Sequence, residues 1–74
     1  MKFAVTGGAG FVGNNIVKLL VSKGYDVVVI DNLHTGKKEN LQEIIKEIEF
    51  HNVDIRDFSK LESILENVDG IFHE

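Results

Sequence analysis

Three glycines spaced by three, Gly7, Gly10 and Gly13, stand between an apolar run and an amphipathic run near the start of this 74-residue chain. Glycine in such a place lets a strand turn tightly into a helix, lets the backbone approach a ligand, and lets the helix pack closely on the strand. The first backbone N–H groups of that helix have no partner within it and lie at the positive end of its dipole. The spacing therefore predicts a strand, a turn and a helix that bind a phosphate, and hence a nucleotide.

A second signal is an aspartate at the end of the next apolar run. The run covers residues 27–30 and is followed by Asp31, 18 positions beyond Gly13. A dinucleotide-binding βαβ unit has, at about this distance, the carboxylate that accepts hydrogen bonds from the adenosine ribose. The alternative is a tight turn without a ligand and a solvated aspartate. A P-loop is excluded, because two asparagines follow Gly13 where a lysine and a serine or threonine would be needed.

The rest of the chain alternates between strand and helix patterns. The patterns predict strands near 2–6, 26–30, 48–53 and 69–73 and helices near 11–23, 39–47 and 58–67. This alternation predicts an α/β, Rossmann-like, three-layer fold whose parallel sheet has the strand order 3-2-1-4. The first two helices then cover one face and the third covers the other. The binding crevice lies between strands one and four, outside their carboxyl ends.

Apolar residues at helical spacing predict which side of each helix is buried. The predicted sides are Val12, Ile16, Leu19, Leu20 and Lys23 in the first helix, Leu41, Ile44, Ile45 and Ile48 in the second, and Phe58, Leu61, Ile64, Leu65 and Val68 in the third. Asp57, just before the third helix, is a predicted N-cap. We interpret the apolar sides of the second and third helices as core and not as sites.

Composition limits the partners of the chain. The net charge is −4, from 12 acidic and 8 basic side chains, which argues against nucleic acid. There is no cysteine, and His34, His51 and His73 share no metal-ligand spacing, so we expect no disulfide and no metal site. The apolar runs are too short to span a membrane, and the first is cut by Gly7. We therefore expect a cytoplasmic protein without a membrane segment or signal peptide.

Four segments together resemble the N-terminal part of the NAD-dependent nucleotide-sugar epimerase and dehydratase family, in the extended branch of the short-chain dehydrogenases/reductases. The segments are residues 6–13, 31–41, 54–57 and 68–73. The resemblance is greatest to the UDP-glucose 4-epimerase branch. UDP-glucuronate decarboxylases and dTDP-glucose 4,6-dehydratases begin in much the same way, so the sugar on which the parent enzyme acts stays open.

The resemblance implies a cofactor, NAD, and the residues that bind it. Gly7, Gly10, Phe11, Val12 and Gly13 would surround the pyrophosphate, Asp31 would hold the ribose hydroxyls, Asn32, Leu33 and Gly36 would lie beside it, and Asp54 and Ile55 would contact the adenine. A carboxylate such as Asp54 can accept a hydrogen bond from the adenine amino group, and an adjacent isoleucine can cover the ring. The alternative for Asp54 is a turn residue at a strand end.

No catalytic residue of the family can be carried over to this chain. The family uses a serine or threonine hydroxyl and a Tyr-x-x-x-Lys pair, in which the lysine lowers the pKa of the tyrosine. Tyr25 is the only tyrosine, and four positions on stands Val29. In the parent enzyme, the resemblance implies that NAD takes a hydride from C4 of the sugar and returns it to the opposite face. We expect this chain to bind NAD without catalysis, and a UDP-sugar to bind only to the full-length parent.

The last residues of the chain lead to two further expectations, one about its domain and one about self-association. Residues 69–74 have the pattern of a fourth strand with nothing after it. We therefore expect residues 1–74 to be an N-terminal fragment of one NAD-binding domain, truncated after strand four. An unpaired strand edge and an incompletely covered sheet favour self-association as a dimer. The rival hypothesis is a non-enzymatic, minimal nucleotide-binding module whose only activities are binding and self-association.

Overall fold

Strands and helices alternate along the chain in the computed structural model, which describes residues 1–33 and 36–73. The strands are β1 (Lys2–Thr6), β2 (Asp26–Ile30), β3 (Ile48–His51) and β4 (Gly70–His73). The helices are α1 (Phe11–Ser22), a 3₁₀ helix (Lys38–Glu47) and α2 (Phe58–Ile64). Among the described residues, no helix is long and apolar enough to cross a membrane.

The four strands form one parallel sheet in the order β3-β2-β1-β4. This confirms the predicted α/β, Rossmann-like fold and its strand order. The last residues of β2 and β4, Ile30 and His73, both pair with Thr6 at the end of β1. All the strands run the same way, so their carboxyl ends meet along one edge of the sheet, where ligands of open α/β sheets bind.

One face of the sheet is covered by α1 and the 3₁₀ helix. The buried side chains of this layer are Val5, Ala9, Val17, Leu20, Val27, Val29 and Leu41. Half-buried Ile16, Ile44 and Ile48 pack against them. The strand residues of this layer alternate with those of the opposite face, as the pleat of a strand requires. The predicted apolar side of the second helix is therefore confirmed at Leu41 and Ile44. Ile48 packs on the same layer but belongs to β3, and half-buried Ile45 is not part of this core.

The buried side of α1 agrees with the predicted one at Leu20 and at half-buried Ile16, and differs at the other three predicted residues. The residues of α1 that are buried are Gly13, Asn14, Val17 and Leu20. Val12 and Leu19 are instead 57% and 56% exposed, and Lys23 is an exposed residue at the end of the helix. Apolar side chains occur nearly all around α1, so their spacing alone does not select one side. Gly13 lies on the buried side, where it permits close approach to the backbone of Gly7 and Gly8 in the turn after β1.

The opposite face is covered by α2 and the chain on either side of it. Ala4, Val28 and Ile30 of the sheet are packed by Val53, Leu61, Ile64, Leu65 and Val68. The prediction that Phe58 belongs to this core is wrong, because its side chain is 78% exposed. Phe58 is the first residue of α2 and precedes by almost one turn Leu61, the first helical side chain that reaches the sheet.

Two element ends differ from the sequence prediction by two residues or more, and one helix differs in type. β3 ends at His51 instead of 53, and α2 ends at Ile64 instead of 67. The second helix is a 3₁₀ helix, in which residues three apart share a side, so Leu41 and Ile44 lie together and Ile45, four positions after Leu41, lies on another side. The N-cap prediction is confirmed, because the Asp57 side chain accepts a hydrogen bond from the backbone N–H of Lys60 at 3.4 Å.

Candidate functional site

A cleft of about 450 Å³ lies at the carboxyl ends of β1, β2 and β4. It is lined by Thr6, Gly7, Gly10, Phe11, Val12, Gly13, Ile30, Asp31, Asn32, Val53, Ile55 and His73. The lining includes the predicted pyrophosphate residues, the predicted ribose carboxylate and its neighbour, and the isoleucine predicted to cover the adenine. The fold thus brings together segments that are far apart in the sequence.

The turn between β1 and α1, residues 7–10, forms one side of the cleft and is called here the phosphate loop. Gly7 has φ of 71°, a backbone conformation that glycine adopts without cost, and its N–H donates to the Ile30 carbonyl at 2.8 Å. Gly10 is the N-cap of α1. A Cβ at Gly13 would overlap the Gly7 carbonyl oxygen and lie 2.9 Å from Gly8 Cα. The loop therefore requires glycine at the first and last positions of the motif.

The first turn of α1 offers backbone donors to the cleft. Within the described residues no side chain caps this helix, and its first turn contains no acidic side chain. The N–H groups of residues 11–13 precede the first possible intrahelical hydrogen bond, which Asn14 donates to Gly10 at 2.9 Å. Unpaired N–H groups and the positive end of the helix dipole favour an anion here. The arrangement fits the pyrophosphate of a dinucleotide.

Asp31 follows β2 and is 8% exposed at the edge of the cleft. Its Oδ2 atom accepts from the Ala9 N–H at 2.9 Å, and its Oδ1 atom accepts from the Leu33 N–H at 2.7 Å. These two bonds fix the carboxylate against the phosphate loop. A carboxylate has about four lone-pair sites, so acceptor capacity remains for a hydroxyl in the cleft.

Leu33 and Gly36 support Asp31 without lining the cleft. Leu33 has φ of 61° and packs its side chain against the core. Gly36 is buried, and a Cβ there would lie 2.7 Å from the Ala9 carbonyl carbon and 2.9 Å from Asp31 Oδ2. Direct cofactor contact by these two residues stays a prediction. The Leu33 N–H holds the carboxylate, and the Gly36 backbone packs closely against both the carboxylate and Ala9.

The predicted adenine residues are placed differently from each other. Ile55 lines the cleft and is 45% exposed, with half-buried Val53 beside it. Asp54 does not line the cleft, and its carboxylate is bound by Arg56. The Arg56 Nη2 and Nε atoms donate to Asp54 at 2.7 and 3.0 Å, and the Arg56 backbone N–H donates at 2.8 Å. The contact between Asp54 and adenine stays a prediction. It would require the Asp54 carboxylate to accept hydrogen bonds from Arg56 and from adenine at the same time.

The ion pair between Asp54 and Arg56 shifts the pKa values of both side chains. The side-chain hydrogen bonds from Arg56, followed by the backbone hydrogen bond from Arg56, lower the pKa of the Asp54 carboxyl to about 2. The same pair raises the pKa of the Arg56 guanidinium above its ordinary value. Asp54 therefore carries its negative charge throughout the physiological pH range. A charged carboxylate can only accept hydrogen bonds, as contact with an adenine amino group requires.

Four residues that line the cleft were not predicted from the sequence: apolar Ile30 and Val53, and polar Thr6 and His73. Thr6 Oγ1 and His73 Nδ1 lie 2.7 Å apart, across the paired ends of β1 and β4. The predicted strand order already placed these strands side by side at the crevice, so aligning their ends would have found the pair. His51, in contrast, bonds Glu49 at 2.7 Å and thereby lowers the pKa of Glu49. His34 lies outside the described residues.

Metal ligands and a catalytic base are the remaining chemical groups that a site of this kind could contain. Within residues 1–33 and 36–73, no group of three or more His, Cys, Asp or Glu side chains is arranged to hold a metal ion. The cleft contains Thr6 and His73, but the sequence has no Tyr-x-x-x-Lys pair. The site described above can bind and orient a nucleotide, and its described side chains include no such tyrosine base.

Comparison with known proteins agrees with this geometry. Residues 3–74 match the NAD dependent epimerase/dehydratase family. A putative UDP-glucose 4-epimerase of Methanocaldococcus jannaschii is 45% identical over 71 residues, which are 95% of this chain and 22% of that protein. UDP-glucuronic acid decarboxylase 1 of Arabidopsis thaliana is 43% identical over 77 residues, which are 99% of this chain and 16% of that protein.

Solved structures show the same likeness. The UDP-glucose 4-epimerase of Thermus thermophilus, solved as a complex with NAD, matches with a TM-score of 0.84 and 41% identity. The match covers 100% of this chain and 24% of that one. The chain thus spans less than a quarter of the length of each of these relatives. The predicted family and its cofactor, NAD, are confirmed at this level.

Proposed function

Because the chain belongs to the NAD dependent epimerase/dehydratase family, we propose that it binds the adenosine and pyrophosphate half of NAD for a nucleotide-sugar 4-epimerase. One observation carries the proposal: the phosphate loop and Asp31 meet in a single cleft and are hydrogen-bonded to each other through Ala9. The similarity to a putative UDP-glucose 4-epimerase supports the choice of epimerase. The similarity to a UDP-glucuronic acid decarboxylase leaves open the sugar on which the parent enzyme acts. In this proposal residues 1–74 belong to one dinucleotide-binding domain.

Different residues of the cleft bind different parts of the cofactor. The N–H groups of the first turn of α1 hold the pyrophosphate, Asp31 accepts from the ribose hydroxyls, and Ile55 covers one face of the adenine. When bound, NAD supplies reversible hydride transfer. This chain contributes orientation of the cofactor and no proton transfer, because the tyrosine base of the family has no counterpart in it. Any UDP-sugar would bind to other parts of the parent enzyme. The cytoplasmic location stays a prediction.

We expect weak binding of NAD, and of ADP-ribose almost equally well, because all the residues assigned to the cofactor contact its ADP-ribose half. Titration followed by NMR should shift the amide signals of residues 7–13, Asp31 and Asp54. Nicotinamide alone, which has neither a phosphate nor a ribose, should leave them unchanged. Addition of UDP-galactose with NAD should give no turnover above background in a coupled assay. Shifts confined to other residues would show that the glycine motif is only structural, and turnover would show that catalytic groups have been overlooked.

A matched pair of substitutions tests the location of the pyrophosphate. Val12 and Leu19 are 57% and 56% exposed on the same helix, but only Val12 lies in its first turn and lines the cleft. Val12→Glu should weaken NAD binding by about tenfold or more, because a carboxylate roughly 5 Å from a phosphate repels it strongly even with screening. An acidic residue in the first turn also suits the helix dipole, so folding should be retained. Leu19→Glu adds the same charge and should leave NAD binding unchanged.

Self-association into a dimer is a second part of the proposal. β4 is an edge of the sheet, with Ile71 53% and Phe72 39% exposed. An exposed strand edge offers unpaired N–H and C=O groups, and two such edges can pair about a two-fold axis. We expect sedimentation at rising concentration to show dimers, and Phe72→Lys to shift the equilibrium to monomers. A folded monomer at high concentration, unaltered by Phe72→Lys, would contradict this part and leave the nucleotide proposal standing.

A further inference from the structure

Ala9, in the middle of the phosphate loop, is held on both sides of its backbone. Its side chain is completely buried. Its N–H donates to Asp31 Oδ2 at 2.9 Å. Its carbonyl oxygen accepts two hydrogen bonds, from the Lys37 N–H at 3.0 Å and from the Asn40 side-chain Nδ2 at 2.8 Å. The loop that faces the cleft is therefore fixed from behind by the segment that follows β2.

Asn40 differs from the other groups that hold Ala9. Asp31 lines the cleft, and Lys37 donates through its backbone, which no substitution other than proline removes. Asn40 is half-buried near the start of the 3₁₀ helix and does not line the cleft. Its own backbone N–H donates to the Lys37 carbonyl at 3.0 Å. The side-chain amide is thus positioned by the first turn of that helix and aimed at the loop.

We propose that Asn40 is a positioning residue for pyrophosphate binding. Through the Ala9 carbonyl it holds the phosphate loop, and with it Gly10 at the start of α1, in the conformation that presents the first-turn N–H groups to the cleft. It acts without touching the ligand. Donors that are already in place spare the ligand the cost of ordering the loop. This inference rests on the proposed binding of the NAD half.

The chemistry of the contact selects the variants. A carbonyl oxygen can only accept, so the side chain at position 40 must donate. Asn40→Asp keeps the size of the side chain but sets a carboxylate oxygen against the Ala9 carbonyl oxygen. Asn40→Ala removes the donor and adds no charge. Asn67, exposed in the turn after α2, provides the control. Asn67→Asp makes the same change in net charge at a site that does not contact the loop.

The test compares two ligands, ADP with its pyrophosphate and adenosine without one. We expect Asn40→Asp to raise the ADP dissociation constant about tenfold and the adenosine constant less than about twofold, as loss of one preorganising hydrogen bond implies. Asn40→Ala should have the same selectivity and a smaller effect. Both should increase ¹⁵N relaxation dispersion at residues 7–10. Asn67→Asp should behave as the unaltered chain. Urea unfolding of each variant reports stability separately.

The other outcomes are distinguishable. If the unaltered chain fails to bind ADP, the proposed function itself is wrong and this inference falls with it. If the unaltered chain binds ADP and both Asn40 variants bind ADP as tightly, only the inference is wrong. An equal loss of ADP and adenosine binding overturns it as well, because the effect would then be general. Failure of both variants to fold overturns it too, because Asn40 would serve the fold as a whole.

Discussion

Replacing Gly13 with alanine is expected to destabilise the chain by about 3 kcal/mol or more, which is a large share of the stability of so small a domain. The added Cβ would overlap the Gly7 carbonyl oxygen and lie 2.9 Å from both the Gly7 carbonyl carbon and Gly8 Cα. All three are backbone atoms of the phosphate loop, so no flexible side chain can move aside. Urea unfolding followed by circular dichroism gives the free energy of unfolding.

Helix propensity alone predicts the opposite sign for the effect of Gly13→Ala on stability. Alanine in a helix is favoured over glycine by about 1 kcal/mol, so propensity alone would stabilise the variant. Gly10→Ala is the matched control, since its Cβ would meet only the Gly7 carbonyl oxygen at 3.3 Å and its φ of −76° suits alanine. We expect that control to change the free energy of unfolding by about 1 kcal/mol at most. Equal stabilities of the two variants would mean that helix and loop can separate freely.

Substitution of Asp31 is expected to remove a preference for NAD over NADP. The 2′-phosphate of NADP would lie near the Asp31 carboxylate, which is 8% exposed and lines the cleft. At about 4 Å and an effective dielectric constant near 20, the repulsion is of order 4 kcal/mol per unit charge before relaxation and screening. We therefore expect NAD to bind at least about tenfold more tightly than NADP, and Asp31→Asn to bring the ratio close to one.

The ratio of the two dissociation constants is the measurement that matters here. Asp31 also accepts from the N–H groups of Ala9 and Leu33, so its loss weakens the loop for both cofactors. Asp31→Asn retains the side-chain size and one acceptor oxygen, which limits that common loss. Asp26→Asn makes the same charge change at the opposite end of β2 and should leave the ratio unaltered. An unchanged ratio in Asp31→Asn would show that another group discriminates the cofactors, with exposed Lys37 and Lys38 the nearest cations in sequence.

The strand order and the position of the cleft could be predicted because both depend on short sequence patterns. Strand and helix patterns alternate along the chain, and characteristic residues follow the first two strands. A glycine turn after one strand and an aspartate after the next define two neighbouring carboxyl ends, whatever the details between them. The side of α1 that is buried could not be predicted in this way. Val12 and Leu19 are as apolar as Val17, and the sequence does not show that Gly13 lies against Gly7, on the side of the helix that is buried.

The placement of Asp54 shows a different limit. Its position after β3 suggested a carboxylate at the cleft, but an arginine two residues on binds both of its oxygens. The sequence shows both charges and not the turn that brings them together. Ile55 between them does line the cleft. A pattern of residue types thus locates a site more reliably than it assigns the contact that each side chain makes.

The parallel register of β1 also bears on how the chain folds. Phe3 pairs with Val27 on one side, 24 positions away, and with Gly70 on the other, 67 positions away. Closing the longer loop costs about 0.9 kcal/mol more chain entropy than closing the shorter one, and such long-range pairing slows folding. We therefore expect β1 and β2 to meet first and β4 to dock later. The wall of the cleft that contains His73 forms only in that last step, so a nucleotide that contacts it selects molecules in which the longest-range strand pairing is complete.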